Sequence, residues 1–296
     1  INRFRGDIAL LEPGLDWLTE HTGKPVFGVL PYLHGLVIDS EDSVSAAGTS
    51  EAGALKVVVP VLPRISNHND FDPLRLHPGV DLVFVGPDEP IPPADLVILP
   101  GSKSTRHDLQ WLKQQGWPEA IQKHLRYGGK LLGICGGFQM LGLKVEDPEG
   151  LEGEVGTTKG LALFEMVTRM VPGKQLRMVN GGLTSHIAST VVTGALKGYE
   201  MHNGVTEGAA LVRPFAELEG RPDGAVSADG QVAGTYIHGV FDEPAACKAI
   251  LAWAGLKTQG EQSVDYQRHR LQQLDRLADQ VDQCLDKERL RRLLQL

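Results

Sequence analysis

Apolar residues in the middle of the chain form short continuous runs, and stretches of helical periodicity separate them. These runs are rich in Val, Leu and Ile, and they predict buried strands at 55–60, 80–85, 94–99 and 130–134. Helical periodicity follows the third run, at about 105–115 and 117–126. Continuous apolar strands with intervening helices are typical of a sheet covered on both faces. The pattern therefore predicts an α/β domain with a doubly wound, mostly parallel sheet.

The beginning of the chain reads as a separate piece. Residues 8–22 have helical periodicity that ends at Gly23, and residues 25–30 form an apolar run that predicts a short strand. One helix and one strand cannot bury a core by themselves. Because the chain also starts at Ile1 without a methionine, we expect it to be the C-terminal part of a longer protein.

A linker is predicted between this piece and the main domain. Residues 39–51 are acidic, rich in Ser, Ala and Gly, and without periodicity. The predicted domains are therefore residues 1–45, the remnant of a preceding α/β domain with its linker, and residues 46–296.

The second half of the chain has weaker helix signals until its end. Short strands with glycine turns between them are predicted at 161–170, 175–179, 186–193 and 225–227. A buried strand at 231–237 leads to His238, and a helix is expected at about 243–253. Leucines at helical spacing in residues 263–296 predict one or two amphipathic helices docked on the domain. A partner-binding coiled coil is the alternative, but a sustained heptad is missing.

A cysteine lies at the sharpest predicted turn of the chain. The segment Gly133-Ile134-Cys135-Gly136-Gly137 has the form G-x-C-x-G, between a strand and a helix. It is the thiol counterpart of the G-x-S-x-G nucleophile elbow, in which a strained turn exposes the nucleophile. Cys135 is therefore a candidate nucleophile. The alternative is a buried structural cysteine, which packs like a small hydrophobe.

A cysteine nucleophile needs a base and oxyanion donors, and the strand ends offer both. His238 follows a buried strand, so it should reach the sheet edge that holds Cys135. The N–H of Gly136 and the amides of Gly101 and Ser102 are candidate oxyanion donors. The alternatives are a histidine that caps the next helix and an ordinary strand-to-helix turn at Gly101.

Composition and charge exclude several other classes. The net charge of −8 argues against nucleic acid or an anionic membrane as the main partner. Three widely spaced cysteines without a C-x-x-C pair support neither a disulfide framework nor a zinc site, and the reducing cytoplasm is the expected location. The segment 101–104 lacks the glycines of a P-loop. The neighbouring His68, Asp70 and Asp72 lack metal-site spacing and are interpreted as solvated turn residues.

Together these motifs carry a resemblance. The elbow, the Pro100-Gly101-Ser102 turn and the segment Tyr236–Gly239 resemble the class I glutamine amidotransferases. More narrowly, the segments 2–7, 99–105 and 198–202 are similar to the cobyric acid synthase family of cobalamin biosynthesis. This resemblance implies a flavodoxin-like amidotransferase domain with a helical C-terminus. Residues 1–45 would then be the end of a dethiobiotin synthetase-like ATP-binding domain.

The resemblance also implies an activity. Family members hydrolyse glutamine and pass the ammonia to carboxylates of a corrinoid, adenosylcobyrinic a,c-diamide, which the ATP-binding domain activates by phosphorylation. No cofactor or metal is expected in this chain, whereas ATP and Mg would belong to the missing N-terminal domain. The expected partners are glutamine and the corrinoid, with neither nucleic acid nor a membrane.

Residue roles follow from the same resemblance. Cys135 would be the nucleophile and His238 the base, with Gly101 and Gly136 forming the oxyanion hole. The positions expected to contact substrate are Ser102, Gln139, Glu200 and His202.

One position departs from the wider superfamily. The wider superfamily usually has a glutamate two residues after the histidine, whereas this chain has Val240 there. The cobyric acid synthase branch also lacks that glutamate. We therefore expect a Cys–His pair without an orienting carboxylate, and slow glutaminase activity as a result. Asp242 is the first carboxylate to check against this expectation.

Three alternatives stay open. Two are related amidotransferases: cobyrinic acid a,c-diamide synthase and the subunit that amidates peptidoglycan precursors. The third is a non-catalytic scaffold domain built on the same elbow.

Overall fold

The computed structural model describes residues 1–36, 54–188, 192–257 and 265–295, and for residues 192–195 the backbone alone. The chain divides into two compact units, one of Ile1–Asp39 with Gln267–Leu296 and the other of Ser40–Tyr266. The predicted linker at 39–51 lies outside the described residues, and so does the predicted domain boundary at residue 45. That boundary stays a prediction.

The helices and strands are numbered here in chain order. The helices are α1 (Glu12–Thr22), α2 (Asp72–Leu76), α3 (Thr105–Gln114), α4 (Trp117–Arg126), α5 (Gly136–Met140), α6 (Pro244–Trp253), α7 (Tyr266–Cys284) and α8 (Lys287–Leu294). The strands are β1 (Leu55–Pro60), β2 (Ile65–Ser66), β3 (Val80–Val85), β4 (Leu96–Leu99), β5 (Gly101–Ser102), β6 (Lys130–Ile134), β7 (Lys144–Asp147), β8 (Gly156–Lys159), β9 (Met166–Leu183), β10 (Val192–Gly208), β11 (Ala216–Leu218), β12 (Arg221–Asp223), β13 (Ala225–Val226), β14 (Val232–Thr235) and β15 (Ile237–His238). Short 3₁₀ helices cover Ile8–Leu10, His68–Phe71 and Ala209–Val212.

The central sheet of the larger unit has the strand order β13-β14-β6-β4-β1-β3. Its strands run parallel, except that β13 is antiparallel to β14. Numbered along the chain, the parallel strands lie in the order 2-1-3-4-5, which is the flavodoxin-like arrangement. The prediction of a doubly wound, mostly parallel sheet is confirmed.

Successive residues of the central strands pack into different layers. Val57 and Ile98 belong to one hydrophobic cluster, which also contains residues of α2 and α6. Val58 and Val97 belong to a second cluster, which contains residues of α3 and α4. Because side chains alternate along a strand, a sheet covered on both faces requires the continuous apolar runs seen in the sequence.

A second sheet has the order β12-β11-β9-β10-β15, with β7 attached to β9 and β8 attached to β7. The separate short strands predicted at 161–170 and 175–179 are wrong, because one long strand, β9, extends across residues of both and pairs antiparallel with the long β10. The short strand predicted at 225–227 is confirmed as β13 of the central sheet. Glycines that were interpreted as turn residues lie within the paired strands of this sheet instead. A Cβ on Gly181 would lie 2.1 Å from the carbonyl oxygen of Glu217, so glycine there permits the close approach of β11.

The chain passes from one sheet to the other just before His238, the candidate base. The chain leaves the central sheet at Thr235, the end of β14, and joins β10 of the second sheet at Ile237. His238 therefore lies where the two sheets adjoin, next to the end of β6.

The smaller unit is described by itself. Isolated bridges join Phe4 to Pro31 and Gly28 to Leu285, so the strand predicted at 25–30 does not form. Helix α1 ends at Gly23, as predicted. Gly23 has the left-handed backbone conformation that is common at the end of a helix. The helical C-terminus is confirmed as α7 and α8, and residues 267–296 share this unit with residues 1–39. Within the described residues, no helix has the length and apolar content needed to cross a bilayer.

Candidate active site

Cys135 lies at the tip of a tight turn between β6 and α5. Its backbone has φ 50° and ψ −107°, an unfavourable conformation for a residue with a Cβ. The turn depends on glycines because other chain segments cross it closely. A Cβ on Gly137 would lie 2.1 Å from the carbonyl oxygen of Leu99, and one on Gly133 would lie 2.7 Å from the backbone nitrogen of Phe138. The G-x-C-x-G pattern thus forms the predicted elbow.

His238 is fully buried next to this elbow. Its ring stacks on Tyr199 of β10 with 5.2 Å between ring centroids, and the side chain of Cys135 is among the neighbours that raise the pKa of the ring. The sulfur of Cys135 also lies 3.7 Å from the carbonyl oxygen of Met201. The structure therefore brings the predicted nucleophile and base together, although they are far apart in sequence.

A carboxylate orients the imidazole. Nδ1 of His238 donates a hydrogen bond to Oδ2 of Asp70 at 2.7 Å, and Oδ1 of Asp70 accepts one from the backbone N–H of Gly239 at 2.8 Å. Burial acts to lower the pKa of His238, but the charge and hydrogen bond of Asp70, with a contribution from Cys135, raise it to about 10. The expectation of a Cys–His pair without an orienting carboxylate is wrong. The expectation of slow activity loses its basis with it.

Asp70 was missed because its segment was interpreted as solvated, and that interpretation is also wrong. His68, Asp70 and Asp72 are 9 %, 2 % and 5 % exposed. His68 and Asp70 belong to the 3₁₀ helix at His68–Phe71, and Asp72 begins α2. Phe71 of the same helix packs into the core. The apolar residues Phe71 and Leu74, interspersed among the acidic ones, were the available signal that this segment is buried.

A second side chain from this segment contacts the ring. Asn67 has a left-handed backbone (φ 51°), and its amide nitrogen lies 3.0 Å from Nε2 and 3.2 Å from Nδ1 of His238. The segment therefore packs against the imidazole through both Asn67 and Asp70.

The predicted oxyanion donors lie around the elbow. A Cβ on Gly136 would be 2.8 Å from the backbone nitrogen of Ser102, and one on Gly101 would be 3.0 Å from Cε1 of His238. The hydroxyl of Ser102 donates to Asp108 at 2.6 Å and accepts from the N–H of Ser104 at 3.0 Å. The side chain of Ser102 is therefore engaged at the start of α3, and its backbone is the part nearest the elbow.

Gln139 is buried rather than open to the site. Its Oε1 accepts a hydrogen bond from the hydroxyl of Thr105 at 3.0 Å, and its Nε2 donates to the hydroxyl of Tyr236 at 3.3 Å. The side chain is 2 % exposed. Gln139 thus ties the helix after the nucleophile to α3 and to the strand that delivers His238.

Glu200 and His202 flank Met201 on β10 and line a cavity of about 280 Å³. Arg177 and Arg221 both form ion pairs with Glu200, which is 1 % exposed. Burial lowers the pKa of His202, whose Nδ1 lies 2.8 Å from the carbonyl oxygen of Gly204. Cys135 does not line this cavity.

The described residues contain no group of three or more His, Cys, Asp or Glu side chains placed to hold a metal ion. What the arrangement offers is a buried thiol, imidazole and carboxylate, with the backbone nitrogen of Ser102 close to Gly136 of the elbow. That combination suits nucleophilic acyl transfer.

Similar folds occur among solved structures. PurLQS from Thermotoga maritima has 15 % identity and a TM-score of 0.49 over 68 % of this chain and 99 % of that one. A glutamine amidotransferase crystal structure has 20 % identity and a TM-score of 0.48 over 67 % and 98 %. Another glutamine amidotransferase, from Thermotoga maritima, has 14 % identity and a TM-score of 0.43 over 68 % and 82 %.

The family follows from the sequence match. Residues 56–246, most of the larger unit, match the CobB/CobQ-like glutamine amidotransferase domain. This chain belongs to that family.

Proposed function

We propose that this chain hydrolyses glutamine through a thioester on Cys135 and releases ammonia for an amidation reaction. The observation that carries the proposal is the buried set of Cys135, His238 and Asp70, in which Asp70 holds Nδ1 of the ring and both Asp70 and Cys135 contribute to its raised pKa. The family of the chain is consistent with this chemistry.

The residues have separate roles in the proposed reaction. His238, whose raised pKa favours the protonated ring, holds the thiol proton as an imidazolium while the sulfur of Cys135 attacks the side-chain carbonyl carbon of glutamine. The backbone amides of Gly136 and Gly101 stabilise the oxyanion, and the ring returns its proton to the leaving ammonia. Water, deprotonated by the same ring, then hydrolyses the thioester to glutamate. Glutamine and water thus yield glutamate and ammonia.

Glutamate release tests this step. The purified chain should form glutamate from glutamine, and Cys135→Ala should abolish the reaction. Cys247→Ala is the matched control and should retain activity. Equal inactivity of wild type and Cys135→Ala, even with the ATP-binding domain supplied, would favour the non-catalytic scaffold.

We further propose that the acceptor is a corrinoid carboxylate, as in cobyric acid synthase. The segments 2–7, 99–105 and 198–202, together with the CobB/CobQ-like family, support this assignment. A preceding ATP-binding domain would activate the carboxylate, and ATP and Mg would bind there. Neither nucleic acid nor a membrane takes part in this scheme, and its proposed location is the cytoplasm.

The acceptor can be identified with the full-length protein. Incubated with ATP, Mg and glutamine, it should amidate adenosylcobyrinic a,c-diamide, and mass spectrometry counts the amides formed. Amidation of cobyrinic acid alone would identify cobyrinic acid a,c-diamide synthase instead. Amidation of a peptidoglycan precursor would identify the third relative.

A further inference from the structure

Asn67 contacts the ring of His238 through a side chain that the proposed mechanism does not use. Its amide nitrogen lies 3.0 Å from Nε2 and 3.2 Å from Nδ1 of the ring. Nδ1 donates to Asp70, so a neutral ring carries its free lone pair on Nε2. An atom along that lone pair would lie much farther from Nδ1 than from Nε2. The amide therefore lies against the ring itself and leaves the lone pair open to a thiol or to water.

The backbone around Asn67 fixes this placement. Ser66, one residue before it, pairs with Gly101 in the short β2–β5 ladder. The carbonyl oxygen of Asn67 accepts the backbone N–H of Asp70 at 2.9 Å. Asn67 itself has φ 51° and ψ 48°, a left-handed conformation that asparagine tolerates better than most residues with a side chain. The turn thus presents the amide to the ring from a backbone that is held on both sides.

The amide contact favours the neutral ring. An amide nitrogen offers only hydrogens, and their positive charge is attracted to the electrons of a neutral imidazole and repelled by an imidazolium. Asp70 and Cys135 act in the opposite direction and raise the pKa of His238 to about 10, although burial lowers it. Asn67 therefore opposes the two acidic neighbours of the ring.

The titratable groups around the ring come from several elements. Asp70 lies on the 3₁₀ helix, Cys135 at the elbow and Tyr199 on β10. His202 of β10 is near enough for the charge of His238 to lower its pKa. In the proposed reaction Cys135 changes charge, because its sulfur is a thiolate at first and an uncharged thioester sulfur after acylation.

Hydrolysis of the thioester depends on the neutral ring. After ammonia has taken the proton of His238, the ring must stay neutral until it accepts a proton from water. The sulfur no longer favours the charged ring at this stage, whereas Asp70 still does. Burial and the amide of Asn67 are then the influences that keep the ring neutral.

We propose that Asn67 is a positioning residue that keeps His238 neutral in the thioester and so speeds its hydrolysis. The inference rests on the proposed glutaminase function. Water gives a proton to the ring as its oxygen bonds to the thioester carbon, and the C–S bond then breaks. The sulfur leaves as a thiolate beside the imidazolium, and the glutamic acid loses its proton to solvent.

Two substitutions at this position separate charge from packing. Asn67→Gly removes the amide and accepts the left-handed backbone, whereas Asn67→Asp keeps the shape and places a negative charge against the ring. Rapid quenching with intact-protein mass spectrometry follows the glutamyl-enzyme. Its decay should slow about 3- to 10-fold in Asn67→Gly and at least about 10-fold in Asn67→Asp. Its formation should change less than about 3-fold.

Steady-state kinetics gives a second readout and a control. In both variants kcat and KM should fall together, because the thioester accumulates. Asn69→Ala, in the adjoining 3₁₀ helix, is the matched control and should change neither formation nor decay. Unchanged decay in Asn67→Gly would overturn the inference. Slower decay in Asn67→Gly than in Asn67→Asp would also overturn it, because lost packing alone predicts that order.

If wild type forms no glutamyl-enzyme, NMR titration of His238 in the Cys135→Ala chain separates the two proposals. The alanine removes the thiolate charge, as the thioester does. Adding Asn67→Gly should raise the pKa of the ring by about 0.5 to 1, and Asn67→Asp should raise it further. That result supports the role of Asn67 in keeping the ring neutral even though the glutaminase proposal fails. An unchanged or lowered pKa overturns it.

Discussion

Asp70 and His238, 168 positions apart in the chain, share a buried hydrogen bond of 2.7 Å between Oδ2 and Nδ1. Asp70 also accepts the backbone N–H of Gly239, so it holds both the ring and the chain that carries it. The 3₁₀ helix before α2 therefore supplies a carboxylate to the ring, while Val240 stands two residues after the histidine. A carboxylate in this position orients the imidazole through Nδ1 and fixes its tautomer.

Removing the charge of Asp70 should slow catalysis. We expect Asp70→Asn to lower kcat for glutamate release about 10²- to 10⁴-fold with little change in KM, because the ring loses its preferred tautomer. Steady-state kinetics of the purified chain measures the effect. The exposed Asp88 provides the control, Asp88→Asn. A kcat within about 3-fold of wild type for Asp70→Asn would remove Asp70 from the mechanism.

The pH dependence of stability should report the same contact. The folded-state pKa of His238 is raised from 6.5 to about 10. The stabilisation by this contact is therefore fully present below about pH 6.5 and is lost as pH rises through about 10. The difference in free energy of unfolding between wild type and Asp70→Asn should be largest near pH 6 and shrink toward pH 10. Urea denaturation at several pH values checks this, and a difference that grows with pH would contradict it.

Alkylation should distinguish the cysteines. Burial raises the pKa of Cys247 to about 12, with a contribution from Asp242, whereas Cys135 lies beside His238, whose raised pKa keeps a positive charge near the sulfur. At pH 7 we expect iodoacetamide to label Cys135 at least about tenfold faster than Cys247 in the folded chain. Peptide mass spectrometry after timed quenching measures both rates. Asp70→Asn should slow labelling of Cys135 and leave Cys247 unaffected, and equal initial rates at the two thiols would contradict the prediction.

The two arginines around Glu200 should act non-additively. Each can satisfy the buried carboxylate alone, so Arg177→Ala or Arg221→Ala should each lower the free energy of unfolding by about 1 kcal/mol. The double variant leaves Glu200 buried without a partner and should cost about 3–5 kcal/mol. Chemical denaturation measures the free energy of unfolding of the two single variants and the double variant.

A rescue variant separates charge from packing in this cluster. Adding Glu200→Gln to the double variant should restore part of the lost stability, because a neutral amide needs no counter-charge. Strictly additive single effects, or the absence of rescue, would show that Glu200 is not held by its charge.

Local patterns were enough to predict the central sheet and the elbow. Apolar runs specify strands buried on both faces, and glycines around Cys135 specify a turn crossed closely by other segments, as Leu99 confirms. Long β9 and β10 were missed because glycine marks both turns and close strand approach, and the sequence does not distinguish the two uses.

The sequence by itself determined the sheet, the cysteine elbow and a histidine at a strand end, because each depends on neighbouring residues and on the period of the backbone. The tertiary structure alone decided that Asp70 orients His238 and that Arg177 and Arg221 flank Glu200. Those relationships join segments that are distant along the chain. Packing of loops against strand ends fixes them, and no periodic pattern encodes such contacts.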